Sequence, residues 1–269
     1  MDPRERRRRA ALDELVDNVA IAEFQDAHGA VHLPPVVVVI AAYKEADNIG
    51  QVVESLPTRL CGLDAKAVVV IDGEEDGSAA IVRKHGHYAV IAPVNRGQGA
   101  ALRLGYRVAR EFGAEFIVTA DADGQSEASE LEVVLTPVVE GTADFVNGSR
   151  RLGRTESTDA VRNLGVVVYA TIVSALTRTK VTDTANPMRA MRAELTGRLT
   201  LDEPQYQASE LLLGAIFSGV RFEERPVTMH ARATGTSKKG GNLAYGYRYG
   251  KVVLRTFIRE VRAGHRPRG

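Results

Sequence analysis

Val118-Thr-Ala-Asp-Ala-Asp-Gly-Gln125 closes an apolar segment with two acids. Phe116 to Ala120 reads as a strand, and it runs directly into Asp121-Ala-Asp123. Side chains two residues apart at a strand end project the same way, so two carboxylates converge on one spot. Such charges repel unless a cation sits between them. A hard divalent ion, Mg²⁺ or Mn²⁺, takes a few carboxylates plus phosphate oxygens, so the pair points to a diphosphate-bearing substrate. The competing reading is a plain turn, because Asp and Gly favour turns for backbone reasons alone.

The flanking sequence repeats the pattern. Val36 to Ala41 is a continuous apolar run, as in a buried parallel strand. Asp47-Asn48 then caps a helix with Ile49, Val52, Val53 and Leu56 on one face, stopped by Pro57. Lys66 to Ile71 and Tyr88 to Ala92 are further strands, separated by a short helix from Ser78 to His85. Gly99 to Phe112 carries Ala101, Leu104, Val108 and Phe112 at helical spacing, with Gly113 as its C-cap. After the acids come a helix through Leu131, Val134, Leu135 and Val138 and a short strand, Phe145 to Asn147. Strand–helix alternation predicts an α/β fold with a mostly parallel, Rossmann-like central sheet covered by helices on both faces. Ligands of such sheets bind beyond the carboxyl ends of the strands. Tyr43-Lys-Glu45, Asp72-Gly73 and Asp121-Ala-Asp123 all fall there.

Beyond residue 150 the rhythm changes. Arg162 to Thr177 is expected to be a helix with Leu164, Val168 and Ile172 inward, Asp183 to Met188 a loop, and Ala208 to Phe217 a helix. Phe222, Glu224 and Pro226 alternate as in an edge strand. Thr234 to Gly241 reads as a polar loop, and Asn242 to Val261 as a basic amphipathic helix. At the other end, residues 4–28 form an amphipathic helix through Leu12, Leu15, Val16 and Val19. The expected organisation is an N-terminal helical extension (1–34), a catalytic domain (35–230), and a basic loop with a C-terminal amphipathic helix (231–269).

Bulk properties exclude several classes. The chain has 269 residues, room for one large α/β domain or two small ones, and its formal net charge of +1 hides local asymmetry. The lone cysteine, Cys61, excludes an intrachain disulfide and fits a reducing compartment. Arg6 to Arg9 are not followed by an apolar core, so no secretory leader is expected. No apolar run reaches the roughly 18 residues that span a bilayer. A cytoplasmic location follows, with peripheral contact at the membrane's cytoplasmic face as a further expectation.

These segments together resemble family 2 glycosyltransferases of the GT-A fold, in particular the polyprenyl-phosphate sugar synthases, over roughly residues 36–250. Ala41-Ala-Tyr-Lys-Glu45 resembles P-A-Y-N-E; Asn95-Arg-Gly-Gln-Gly99 with Gly105 resembles N-x-G-K-G-x-A-x-x-x-G. Asp121-Ala-Asp-Gly-Gln125 is similar to the metal motif, Gly148-Ser-Arg150 to G-S-R, and Asp183-Thr-Ala-Asn-Pro-Met-Arg189 to D-x-x-S-G-F-R. Their order is more specific than any one of them. Ile71-Asp-Gly-Glu-Glu75 departs from V-D-D-G-S by losing one aspartate, Gln98 replaces a lysine, and Asn186-Pro187 replaces Ser-Gly.

The resemblance implies an inverting, metal-dependent transfer from a nucleoside diphosphate sugar. Asp123 then holds the metal, and Asp121 touches the metal or the ribose. Ala41, Tyr43, Glu45, Asp72, Asn95, Gly97 and Ala122 join Asp121 around the nucleotide. Glu45 can instead cap the following helix, and the glycines can simply allow a tight turn. Glu210 matches the acid of F-x-x-E; it binds a sugar hydroxyl, acts as a base, or is an ordinary exposed helix residue. Arg232 with Ser237-Lys238 resembles R-x-x-G-x-S-K. Together with Arg150 and Arg189 these groups are candidates for phosphates of donor or acceptor; Asp123, Glu210 and Arg232 are the catalytic candidates.

From Arg225 onward the chain has eleven Lys or Arg and one acid, Glu260. That bias suits an anionic acceptor, a phosphorylated lipid or small molecule, or an anionic membrane surface; Arg6 to Arg9 suit membrane or homo-oligomer contact, or neither. The alternatives are a small soluble natural-product acceptor, a nucleotidyltransferase, for which Ala41–Asn48 lacks a lysine-rich glycine loop, or a non-catalytic module for anionic lipid or nucleic acid. Nucleic acid is the less expected partner, because an acidic pair serves no purpose there.

Overall fold

Seven consecutive apolar residues, Val36–Ala42, form β1 at the centre of the sheet, and β-branched side chains buried on both faces explain why the run does not alternate. In the computed structural model, which describes residues 3–73, 76–124, 127–156, 159–230 and 242–267, β1 follows the helix α1 (Pro3–His28) and precedes α2 (Ala46–Ser55). Then come β2 (Arg59–Leu60), β3 (Leu63–Asp72), α3 (Ser78–Lys84), β4 (Tyr88–Ala92) and α4 (Gln98–Glu111). The acidic motif ends β5 (Phe116–Asp121), followed by α5 (Leu131–Val139) and β6 (Phe145–Thr155). The remainder is α6 (Ala160–Thr177), β7 (Arg189–Arg192), α7 (Gln207–Phe217), β8 (Phe222–Met229) and α8 (Asn242–Arg262).

The sheet runs β3-β1-β5-β7-β6-β8, with β2 and β4 both pairing β3. β1 is parallel to β3 and β5, β3 to β4, and β6 to β8, as the alternation predicted. β7 is antiparallel to both β5 and β6, a four-residue strand too short to carry a readable period. β6 is longer than the expected Phe145 to Asn147: after an irregularity at Ser149 it resumes pairing with β8 as far as Thr155. β8 lies at the sheet edge, as expected for a strand containing Pro226.

Two apolar layers sandwich the sheet. One is built on α2, α3 and α5, the other on α1, α4 and α7. α4 sits close to β1 and β3 because Gly105 has no side chain: a Cβ there would lie 2.4 Å from Val39 Cγ1.

Two helix faces differ from the expectation. α1 buries Val16, Ala20, Ile21 and Phe24, leaving Leu12, Leu15 and Val19 exposed. Phe24 sets the phase, since its ring packs 5.1 Å from that of Phe112 and 5.9 Å from that of Tyr88. On α6 the inward residues are Ala170, Val173 and Thr177, while Leu164, Val168 and Ile172 are 63%, 45% and 40% exposed. A helix apolar on most sides gives periodicity no phase to read. No helix among the described residues is long and apolar enough to cross a membrane.

Candidate active site

Parallel pairing brings the predicted segments to one edge. Ala41 lies in register with Asp121, and Ala42 with Ile71, so β1, β3 and β5 end side by side. Past β1 the chain turns with Lys44 at φ 54°, leaving Tyr43 exposed. Glu45 accepts a hydrogen bond from Asn48 Nδ2 at 2.8 Å at the start of α2. At the end of β5, Asp121 and Asp123 are half-buried and Ala122 is buried, and Gly124 makes the turn at φ 70°. Both acids line a cleft of about 350 Å³ whose other walls include Asn48, Gln51 and Val52 of α2. Gln98, the first residue of α4, donates from Nε2 to Asp121 Oδ1 at 3.3 Å. The acids therefore share a cleft with α2, Glu45 bonds to a residue of its wall, and the start of α4 touches Asp121.

Asp72, expected to contact the nucleoside, is engaged with the protein's own backbone. It is 2% exposed, and its two oxygens accept the backbone N–H groups of Arg96 at 3.0 Å and Gly97 at 2.7 Å. Burial pushes its carboxyl above the usual range, against the pull of those N–H groups. It braces the Asn95–Gly97 loop. Gly73, at φ 105°, allows that loop to close, because a Cβ there would meet Asn95 at 2.8 Å.

Glu210 is not the exposed helix residue that one reading offered. It is fully buried; its carboxylate accepts the N–H groups of Asp202 and Glu203, both at 3.0 Å, and pairs with Arg259 of α8 at 2.7 Å. Burial raises its pKa, and these partners oppose the rise. The segment it holds packs on α4: Gly99 N–H donates to the Pro204 carbonyl at 2.8 Å, and a Cβ at Gly97 would come within 2.7 Å of that oxygen.

Arg189 and Arg150, expected near phosphate, are both engaged with partners within the protein. Arg189 is 1% exposed in β7, and its guanidinium donates to the Ala208 and Thr184 carbonyls; burial lowers its pKa. Arg150 makes a bidentate pair with Asp183, Nε to Oδ2 at 2.6 Å and Nη2 to Oδ1 at 2.8 Å. Glu224 of β8 anchors that loop from behind, accepting from the backbone of Thr182 and Asp183. Arg150 thus neutralises Asp183, and Arg189 serves two backbone carbonyls. Arg232, Ser237 and Lys238 lie outside the described residues.

Two residues here escaped the sequence reading. Glu127 lines the cleft, and His230, just after β8, approaches it with Nε2 2.5 Å from Glu127 Oε1. His230 Nδ1 lies 3.2 Å from Glu156 Oε1. The Glu127 hydrogen bond, then the Glu156 one, raises the His230 pKa. A sequence separation of 103 residues leaves no local pattern for the Glu127–His230 contact.

Residues 37–200 match glycosyl transferase family 2. The chain belongs to this family. A glycosyltransferase of Mycobacterium tuberculosis (strain H37Rv) is 32% identical over 193 residues, covering 71% of this chain and 86% of that one. An undecaprenyl-phosphate mannosyltransferase of Micrococcus luteus is 27% identical over 227 residues, covering 77% and 88%. Among solved structures, glucosyl-3-phosphoglycerate synthase from Mycobacterium tuberculosis, bound to Mn²⁺, UDP and glucosyl-3-phosphoglycerate, superposes with a TM-score of 0.65 at 18% identity. That match covers 89% of this chain and 83% of the other, and it shows the GT-A fold. The family 2 chain is therefore a glycosyltransferase, with its acidic motif at the end of β5.

Proposed function

We propose that this glycosyltransferase moves a sugar from a nucleoside diphosphate sugar to a phosphorylated acceptor, polyprenyl phosphate above all, with inversion at the anomeric carbon. One observation carries the reading: Asp121 and Asp123 converge on the cleft beside the ends of β1 and β3. Their oxygens suit Mg²⁺ or Mn²⁺. Among the described residues no cluster of three or more His, Cys, Asp or Glu would hold a metal unaided, so the ion would share its shell with substrate phosphate, as Mg²⁺ commonly does. When bound, it supplies charge neutralisation for the departing diphosphate.

The chain's own groups bind and orient. Tyr43, Glu45 and Asn95 surround the nucleoside side, and Gly97 opens the N-terminus of α4 towards the diphosphate. The anomeric C–O bond to the diphosphate breaks as an acceptor phosphate oxygen attacks from the opposite face, releasing nucleoside diphosphate. A phosphate monoester is largely dianionic at neutral pH, its second pKa being about 6. No protein base is then required, which agrees with the burial of Glu210.

A lipid acceptor is favoured by the name of the Micrococcus relative and by the surface of α6 and α8. Tyr169 of α6 donates to the Gly246 carbonyl of α8, so the two helices lie together. Val161, Leu164, Val168 and Ile172 of α6, and Tyr247, Leu254, Ile258 and Val261 of α8, remain exposed. Arg248, Lys251 and Arg255 accompany them, and the one acid of α8, Glu260, is buried. Apolar stripes edged with cations suit an anionic bilayer surface. The second reading, a small phosphorylated acceptor, is favoured by the structural neighbour that holds glucosyl-3-phosphoglycerate.

The test is release of nucleoside diphosphate from UDP-, GDP- and dTDP-sugars with Mg²⁺ or Mn²⁺, with polyprenyl phosphate or 3-phosphoglycerate as acceptor. Metal-dependent turnover that falls by roughly two to three orders of magnitude in Asp123→Ala is expected. Full activity in that variant, or in chelator, overturns the reading.

A further inference from the structure

We infer that α1 is a positioning element of the donor site, through Asp13 and Asp17; the inference rests on the function proposed above. One helical turn apart, these acids face the same way. The guanidinium of Arg96 forks between them. Its Nη1 lies 3.2 Å from Asp13 Oδ1 and 2.9 Å from the Asp13 carbonyl, and its Nη2 lies 2.6 Å from Asp17 Oδ1. Arg103 of α4 closes the square, 3.3 Å from Asp13 and 3.7 Å from Asp17. The Arg96–Asp17 pair is the buried part of the network, with side chains 5% and 6% exposed, while Asp13 and Arg103 are 13% and 22% exposed.

The main chain of Arg96 does the other half of the work. Its N–H and that of Gly97 are the two donors to Asp72 at the end of β3. Arg96 is thus tied by its side chain to α1 and by its backbone to the sheet, and the loop between the two anchors opens α4. Where the α4 N-terminus meets a diphosphate depends on both ties. Buried charge without a partner is costly, so docking of α1 and the placement of this loop form together. Asp17 is the buried charged residue among the described residues of α1; its other buried residues are apolar.

The experiment compares Asp13→Asn/Asp17→Asn with Val16→Ala, which weakens α1 packing and spares the ion network. Readouts are UDP and GDP affinity with Mn²⁺, kcat at saturating donor, melting temperature, and amide exchange at Arg96 and Gly97. The double variant is expected to bind nucleoside diphosphate about tenfold more weakly, with kcat nearly retained and both amides exchanging faster. Val16→Ala is expected to lower the melting temperature with affinity unchanged. Should the double variant fail to fold, Asp13→Asn alone serves, its loss expected in the same direction. Unchanged affinity, or an equal loss in Val16→Ala, overturns the inference. A wild-type chain that binds no nucleoside diphosphate strikes the proposed function instead, and the amides then decide the latch: unaltered exchange in the variant refutes it.

Discussion

Glu210 shows how one burial value changes a residue's role. An acid in F-x-x-E register reads from sequence as a sugar ligand, a base or an exposed helix residue; here it is buried and ties the 202–203 backbone to Arg259. Glu210→Gln is expected to cost about 2–3 kcal/mol of stability, read as a lower melting temperature, with metal-dependent nucleotide binding retained by the folded fraction. His230 offers a test by titration. Its partners Glu127 and Glu156 raise its pKa above 6.5. The charged form is therefore favoured in the folded state, so its contribution is complete below the unfolded value and lost as pH rises through the folded one. An NMR titration should place the His230 midpoint above 6.5, and Glu127→Gln should move it down. A midpoint at or below 6.5 would deny the contact. Asp121 and Asp123 were legible because period-two geometry is local. The protein partners of Asp72, Arg150 and Arg189 were not legible, because distant parts of the chain supply them.

At the scale of elements, glycine positions separate packing from propensity. Gly105 lies against Val39 and Val70, with a would-be Cβ contact of 2.4 Å. Gly105→Ala must push α4 off the sheet and is expected to destabilise by about 1–3 kcal/mol. Gly165, in the middle of α6, has nothing within 4 Å of its would-be Cβ. Gly165→Ala is expected to stabilise by about 0.5–1 kcal/mol, since the helix gains without steric cost. Thermal unfolding of the two variants should move in opposite directions. Strands and most helices were readable because their periods are set within a few residues. The short antiparallel β7, the extension of β6 and the inward faces of α1 and α6 were not, since each depends on a partner element.

For the whole molecule, the net charge of +1 averages over a basic C-terminal region. If α6 and α8 meet an anionic bilayer, the chain should co-sediment with phosphatidylglycerol vesicles but not with neutral ones, and salt should weaken the binding. Leu164→Ser/Leu254→Ser should reduce that binding severalfold with the melting temperature nearly unchanged, because both side chains are exposed; equal binding to neutral vesicles would count against the surface. By itself the sequence determined the α/β alternation, the parallel strands and the acid pair at a strand end, all consequences of short-range periodicity and steric preference. Only the tertiary structure decided which acids line the cleft and which acids and arginines are paired with one another. The burial and pairing of a charge depend on residues tens of positions away, as the grip of Asp13 and Asp17 on Arg96 shows.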